Sequence, residues 1–133
     1  SAHFNLAVTF VQAGKFGEAE SQYRKALPGR PTAETHNGLG YVLARQSRTD
    51  EAIEEFRKAV DVNPKFTPAY NNLAEALVKQ GRLEEAESTY RRSLAEKPSA
   101  AVHNALNTVL RKLGKPDEAV DQVGRANASD SAR

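Results

Sequence analysis

The sequence predicts an all-α protein in which eight antiparallel helices form four stacked helical hairpins, because one pattern is repeated four times along the 133 residues. Equivalent residues recur at intervals of 33, 34 and 33, a period that is typical of a solenoid. Within each copy, a polar break separates two apolar runs with helical spacing, as expected for a hairpin of two helices. The recurring residues are Leu6, Leu39, Leu73 and Leu106, followed by Ala19, Ala52, Ala86 and Ala119.

A glycine marks the end of the first helix in three of the copies. Gly14, Gly81 and Gly114 stand at the break, where a residue without a β-carbon most easily adopts the left-handed conformation that ends a helix. The second copy has Ser47 at this position. We therefore expect its turn to be strained or differently shaped.

The second helix of each copy begins with acidic residues, and in the first three copies it carries basic residues near its end, an order that matches the helix macrodipole. Pro31, Pro64 and Pro98 follow these helices and stop them, which turns the chain back into the next copy. Pro28 predicts that the second helix of the first copy ends early.

The repeated residues resemble the pattern of the tetratricopeptide repeat family, which is W-x2-L-G-x2-Y, then A-x3-F, then P. The resemblance covers essentially the whole chain. It implies a right-handed superhelix whose concave side is lined by the first helix of each hairpin, and it implies a role in protein interaction. The second copy matches the pattern with His36, Leu39, Gly40, Leu43, Ala52, Phe56 and Pro64.

We expect a single domain over residues 1–133, with repeats at approximately 1–32, 33–66, 67–99 and 100–133. The tail 127–133 has no apolar anchor and is predicted to be disordered. The fourth copy departs from the pattern, with Asn107 in place of a small residue and Val123 in place of an aromatic one. Val120 and Val123 would face the position of a fifth copy, so we expect more chain or another molecule to cover them.

Composition excludes several classes of partner. The formal net charge of +2 is small and no basic block is present, which argues against nucleic acid. The sequence contains no run of 18 apolar residues, so no membrane span is predicted. The absence of cysteine excludes disulfides and thiolate sites, and it fits a reducing or an oxidising compartment.

The predicted concave side changes from apolar in the first copy to polar and then basic in the later copies. Asparagine side chains can donate to and accept from the backbone of an extended peptide, and Lys or Arg attracts an acidic segment or a terminal carboxylate. The alternative is that asparagine is simply tolerated near helix starts and that the basic residues serve the helix dipole. The predicted peptide-binding residues are Asn37, Tyr41, Arg45, Asn71, Asn72, Glu75, Lys79, Asn104, Thr108 and Lys112.

No catalytic, metal or cofactor site is predicted. His3, His36 and His103 occupy one equivalent position, but helices that stack about 8–10 Å apart cannot share a metal with bonds of about 2 Å. The "GLG" at 38–40 lies inside a predicted helix and follows no strand, so it is not a dinucleotide loop. The sequence contains no phosphate-loop, zinc-protease or nucleophile-elbow motif, and we predict that the domain is not an enzyme.

Three hypotheses on the function of the chain are open. The first is a peptide in the concave groove. The second is that the segment is the substrate-presenting arm of a larger enzyme such as a glycosyltransferase, because the asparagine row resembles the ladder of O-GlcNAc transferases at Asn5 and Asn72, although Gly38 and Ala105 interrupt it. The third is self-association through uncapped ends.

The resemblance also argues against one peptide ligand. Family members that bind Hsp70 or Hsp90 tails grip the terminal carboxylate with Lys, Asn and Arg side chains. We predict that neither tail is the ligand here, because the corresponding positions hold Phe4, Val8, Gly38, Pro68 and Asn72.

Overall fold

The computed structural model describes residues 1–116 and 118, and every regular element in that range is an α-helix. The predicted eighth helix, the tail 127–133 and the residues Val120 and Val123 lie outside the described residues. The seven helices are α1 Ala2–Gln12, α2 Phe16–Ala26, α3 Ala33–Arg45, α4 Thr49–Val62, α5 Thr67–Lys79, α6 Leu83–Glu96 and α7 Ala100–Lys112.

The helices pair as hairpins in chain order. Helices α1 and α2, α3 and α4, and α5 and α6 pack together, and each second helix also packs against the first helix of the next hairpin. The first helices are in contact in succession as well, α1 with α3 and α3 with α5. These contacts place the first helices on the tight, inner side of the stack, which confirms the predicted solenoid.

The turn inside each hairpin has the same backbone conformation in all four copies. Gly14, Gly81 and Gly114 have φ of 74°, 75° and 77°, and Ser47 has φ of 63°. A left-handed backbone costs a residue with a β-carbon about 1 kcal/mol. Ser47 therefore closes a turn of the ordinary shape under strain.

The second helix of the first hairpin is one turn shorter than its equivalents. Helix α2 has 11 residues and ends at Ala26, whereas α4 and α6 each have 14 residues. Pro28 follows two residues later, which confirms the early stop that the sequence predicts.

Aromatic rings lie against glycine where the helices approach most closely. A β-carbon at Gly38 would lie 2.5 Å from Cζ of Tyr23, across the boundary between the first two hairpins. A β-carbon at Gly40 would lie 2.6 Å from Cε1 of Phe56, within the second hairpin. The repeat leucine is fully buried at Leu39 but 42% exposed at Leu6, in the first hairpin.

Side-chain bonds to glutamates of the second helices also link neighbouring hairpins. Glu20 of α2 accepts hydrogen bonds from Arg48 at 2.7 Å and from Gln46 at 3.1 Å, both beyond the next first helix. Partial burial opposes ionisation of Glu20, but the bonds from Arg24, Gln46 and Arg48 outweigh it and lower its pKa. Glu87, one residue after a repeat alanine like Glu20, accepts from Lys115 at 3.2 Å.

Helices of the described chain are all too short or too polar to cross a membrane.

Candidate functional site

The inner wall of the stack carries a cavity of about 230 Å³ between α3 and α5. Phe56 reaches it from α4, and Thr49 at the start of α4 also contributes. The cavity therefore combines an apolar interior with polar and charged groups at its rim. Its lining residues are Tyr41, Ala44, Arg45, Thr49, Phe56, Asn72, Glu75, Ala76 and Lys79.

Five of the predicted peptide-binding residues meet at this cavity. Tyr41, Arg45, Asn72, Glu75 and Lys79 come from two helices and are brought together by the contact of α3 with α5. Tyr41 is 40% exposed, although it is a large aromatic residue. Tyrosine is one of the residue types enriched among the contacts that dominate binding energy at protein interfaces.

The asparagine row is partly engaged within the protein. Asn72 donates through Nδ2 to Oδ1 of Asn37 at 2.9 Å, which links α5 to α3. Asn71 accepts at 2.7 Å from Oγ of Ser93, a buried residue of α6. Each carboxamide has two donors and an acceptor with two lone pairs, so one internal bond leaves capacity for a ligand and fixes the orientation of the group.

The other predicted residues include three that belong to α7, the first helix of the fourth hairpin. Asn104, Thr108 and Lys112 are exposed, and the hydroxyl of Thr108 donates to the backbone carbonyl of Asn104 at 3.2 Å. The structure does not bring them to the cavity between α3 and α5.

The first helices of the hairpins (α1, α3, α5 and α7) and the second helices (α2, α4 and α6) differ in whether their Lys and Arg residues form ion pairs. Within the described residues, none of the Lys and Arg residues of the first helices forms an ion pair. In α2, α4 and α6, every Lys and Arg except Lys25 does. The uncompensated cations are Arg45, Lys79, Arg111 and Lys112.

The net charges of the two sets are also opposite. Helices α1, α3, α5 and α7 hold four Lys or Arg against two Glu, whereas α2, α4 and α6 hold six against eleven Asp or Glu. A cleft lined by one sign of charge raises the local concentration of ligands of the other sign. The inner wall is therefore electrostatically suited to an acidic ligand.

Two charged residues at the cavity, Arg45 and Glu75, influence aromatic residues of other helices. The guanidinium of Arg45 lies 5.2 Å from the ring centre of Phe16, in cation–π contact. Burial, with a smaller contribution from the carboxylate of Glu75, raises the pKa of Tyr90 to about 12.

Two of the histidines, His3 and His36, contact residues of the second helices. Nδ1 of His3 lies 2.8 Å from Oε1 of Gln22, and Nδ1 of His36 lies 2.9 Å from Oε1 of Glu55, in a buried pair. Across 1–116 and 118, no group of three or more His, Asp or Glu could hold a metal ion.

Several lining residues had no signal in the sequence. Ala44 and Ala76 carry no chemistry of their own, and Phe56 matches the repeat pattern but is not among the predicted peptide-binding residues. Thr49 belongs to a second helix. They line the cavity only because the second hairpin packs onto the third, and a repeat pattern does not predict that detail.

Comparison with known proteins gives one family. A model described as tetratricopeptide repeat matches residues 43–109, and a second model with the same description matches residues 4–68. No curated protein sequence matches the chain.

Solved structures with this fold include MamA and a domain of RPAP3. One crystal structure of MamA has a TM-score of 0.91 at 20% identity, with 98% of this chain and 77% of MamA covered. Another MamA structure has a TM-score of 0.90 at 21% identity, covering 97% and 72%. The first tetratricopeptide repeat domain of Spaghetti (RPAP3), bound to the HSP90 peptide SRMEEVD, has a TM-score of 0.81 at 23% identity, covering 85% and 94%. At these identities the likeness shows the fold alone.

Proposed function

The chain belongs to the tetratricopeptide repeat family, a family of protein-interaction scaffolds, and we propose that its inner wall binds an extended, acidic segment of a partner protein without catalysing a reaction. The observation that carries the proposal is the contrast in charge pairing. Cations that serve only the fold are expected to be neutralised by nearby carboxylates, as those of α4 and α6 are. The cations of the inner wall have no such partner among the described residues.

The proposed contact surface consists of the residues predicted from the sequence. Arg45 and Lys79 attract carboxylates, and Tyr41 offers an apolar contact beside the cavity. The carboxamides of Asn37 and Asn72 are held in place by their mutual bond, which lowers the entropy lost when they bind a peptide backbone. Asn71, Glu75, Asn104, Thr108 and Lys112 extend the surface to either side.

A charge-matched pair of variants tests the proposal. The probe is a fluorescein-labelled peptide of about ten residues, rich in Asp and Glu and capped at both ends. We expect Arg45→Gln with Lys79→Gln to weaken its binding about tenfold, because each partly exposed ion pair contributes up to about 1 kcal/mol. The control, Lys65→Gln with Lys97→Gln, removes the same charge from two exposed lysines outside the helices.

Fluorescence anisotropy titrations at two salt concentrations provide the measurement. If both double variants lose the same affinity, the peptide responds to total charge, and the inner wall is not its site. Asn71→Ala is not suitable as a test, because it would also leave the buried hydroxyl of Ser93 without its acceptor.

The peptide of the RPAP3 complex tests the ligand class. We propose that this groove does not recognise Hsp70 or Hsp90 tails, because Phe4 and Val8 stand where a carboxylate clamp needs Lys and Asn. Amidation of the C-terminus of SRMEEVD should then leave any residual binding unchanged. A loss of more than about tenfold on amidation would show that a clamp exists.

A further inference from the structure

A second and larger cavity, of about 470 Å³, lies where α1 and α3 begin and α2 ends. Phe4 and Ala26 give it apolar walls, and Thr32 and Thr35 line it from the start of α3. The ring of Phe4 is held edge-on against Tyr23, with 5.9 Å between ring centres. The volume is within the range of about 300–1,000 Å³ that is typical of ligand pockets.

The next boundary between hairpins shows one way in which this position can be filled. There Phe66, at the residue before α5, packs against a buried cluster of Ala33, Ala59 and Ala69. The repeat intervals relate Ala59 to Ala26, Ala69 to Thr35 and Phe66 to Thr32. At the first boundary, a threonine therefore stands where the second boundary has an aromatic ring.

The short second helix widens the gap. The last turn that α4 and α6 possess is absent from α2, and Gly29 lines the cavity at the level of that missing turn. The cavity thus results from two sequence features of the first hairpin, the early stop before Pro28 and the threonine at position 32.

Basic side chains surround the opening. Lys25 and Arg30 line the cavity, and neither forms an ion pair within the part of the chain that the structure describes. Lys25 is also the exception among the cations of α2, α4 and α6. Glu34 is the acidic residue at the rim.

We propose that this cavity binds an aromatic side chain from the acidic segment that occupies the inner wall. The apolar walls and the Phe66 ring at the equivalent site favour an aromatic side chain as the ligand. The unpaired Lys25 and Arg30 favour acidic residues next to that side chain. Phe4, which lines this cavity, lies on a first helix at the repeat position of Asn37, and Asn37 is bonded to Asn72, which lines the cavity between α3 and α5. The proposed segment would therefore run along the first helices from one cavity to the other. This inference rests on the proposed function, since it names the anchor of the same ligand.

Two probe peptides and two variants test the anchor. The peptides are the acidic probe with a central phenylalanine and the same peptide with alanine there. We expect the phenylalanine peptide to bind the unmodified protein about tenfold more tightly, as burial of an aromatic side chain implies. Thr32→Phe should abolish this ratio, because it fills the cavity from within as Phe66 fills its own.

The matched control is Thr32→Ala. Both changes remove the side-chain cap that Thr32 provides to the amide of Thr35, at 3.1 Å, but only the phenylalanine fills the cavity. Thr32→Ala should keep the tenfold ratio. Should Thr32→Phe not fold, amide chemical shifts of the unmodified protein replace it, and the phenylalanine peptide must perturb Ala26 and Gly29 more than the alanine peptide does.

The outcomes separate the two proposals. Equal affinity of both peptides, with Arg45→Gln plus Lys79→Gln still weakening both, would overturn the aromatic anchor and leave the groove function standing. A ratio that survives in Thr32→Phe would also overturn the anchor. If neither peptide binds the unmodified protein, the proposed function fails and the anchor fails with it.

Discussion

Substitution of Gly40 by alanine tests how closely the helices of the second hairpin approach. The new β-carbon would lie 2.6 Å from Cε1 and 2.7 Å from Cδ1 of Phe56. Favourable contacts between carbon atoms begin at about 3.5 Å, so two ring atoms would have to move by nearly 1 Å. The Phe56 ring is only 2% exposed, and the one open space on its surface that the structure describes is the cavity between α3 and α5, so the ring would have to shift toward that cavity.

Two opposing effects set the magnitude. Alanine in place of glycine within a helix stabilises it by about 1 kcal/mol. Overpacking of a rigid core costs about 1–3 kcal/mol, and a clash with two ring atoms favours the upper end. We therefore expect the free energy of unfolding to fall by about 2 kcal/mol, which corresponds to a Tm lower by roughly 8 °C.

Urea denaturation followed by far-UV circular dichroism measures the change. Gly17→Ala is the matched control, since that glycine also lies in a helix but no neighbouring side chain would lie within 4 Å of an added β-carbon. This variant should be as stable as the unmodified protein or slightly more stable. Phe56→Leu should relieve the clash, so that the double variant loses less than the two single losses added together.

The reasoning is refuted if Gly40→Ala proves as stable as Gly17→Ala. Strict additivity of Gly40→Ala and Phe56→Leu would also contradict it, because the cost would then not arise from the contact between these two residues.

Three further predictions concern stability. Ser47→Gly should raise the free energy of unfolding by about 1 kcal/mol, because glycine adopts the left-handed backbone without strain. Ser88→Gly, at an exposed position inside α6, should lower it by about 0.5–1 kcal/mol, and urea titrations compare the two variants. Partial burial opposes ionisation of Glu20, but hydrogen bonds outweigh it and lower its pKa. This residue therefore stabilises the fold above its ordinary pKa of 4.5, and the stabilisation is lost as the pH falls below that value. In Glu20→Gln, the free energy of unfolding should depend less on pH in this acidic range. Burial, with a smaller contribution from Glu75, raises the pKa of Tyr90 to about 12 from 10.0. The free energy of unfolding should therefore fall as the pH rises above 10. Tyr90→Phe should remove that loss, which denaturation series at increasing pH measure.

The repeat determines most of the backbone without reference to tertiary contacts. Equivalent leucines and alanines give the helix phase, and Gly14 or Gly81 gives the turn. Pro28 gives the early end of α2. These features are local, since each depends on the conformations that a few consecutive residues can adopt, so the sequence alone specifies them.

Side-chain partnerships could not be predicted in the same way. The sequence placed Asn37, Asn71 and Asn72 among the peptide-binding residues, but only the stacked helices show that Asn72 bonds to Asn37 and that Asn71 is bonded to Ser93. Whether a cation has a carboxylate within reach depends likewise on the rotation of each helix and the distance to its neighbour.

The sequence by itself determined a stack of helical hairpins with a polar, basic inner wall, because helix periodicity and turn chemistry act over a few residues. The tertiary structure alone decided where that wall opens into cavities. A cavity is the space left between side chains of neighbouring hairpins, such as Phe4 and Thr35 or Tyr41 and Asn72, which are 31 residues apart in the sequence. The size of that space depends on how the hairpins stack.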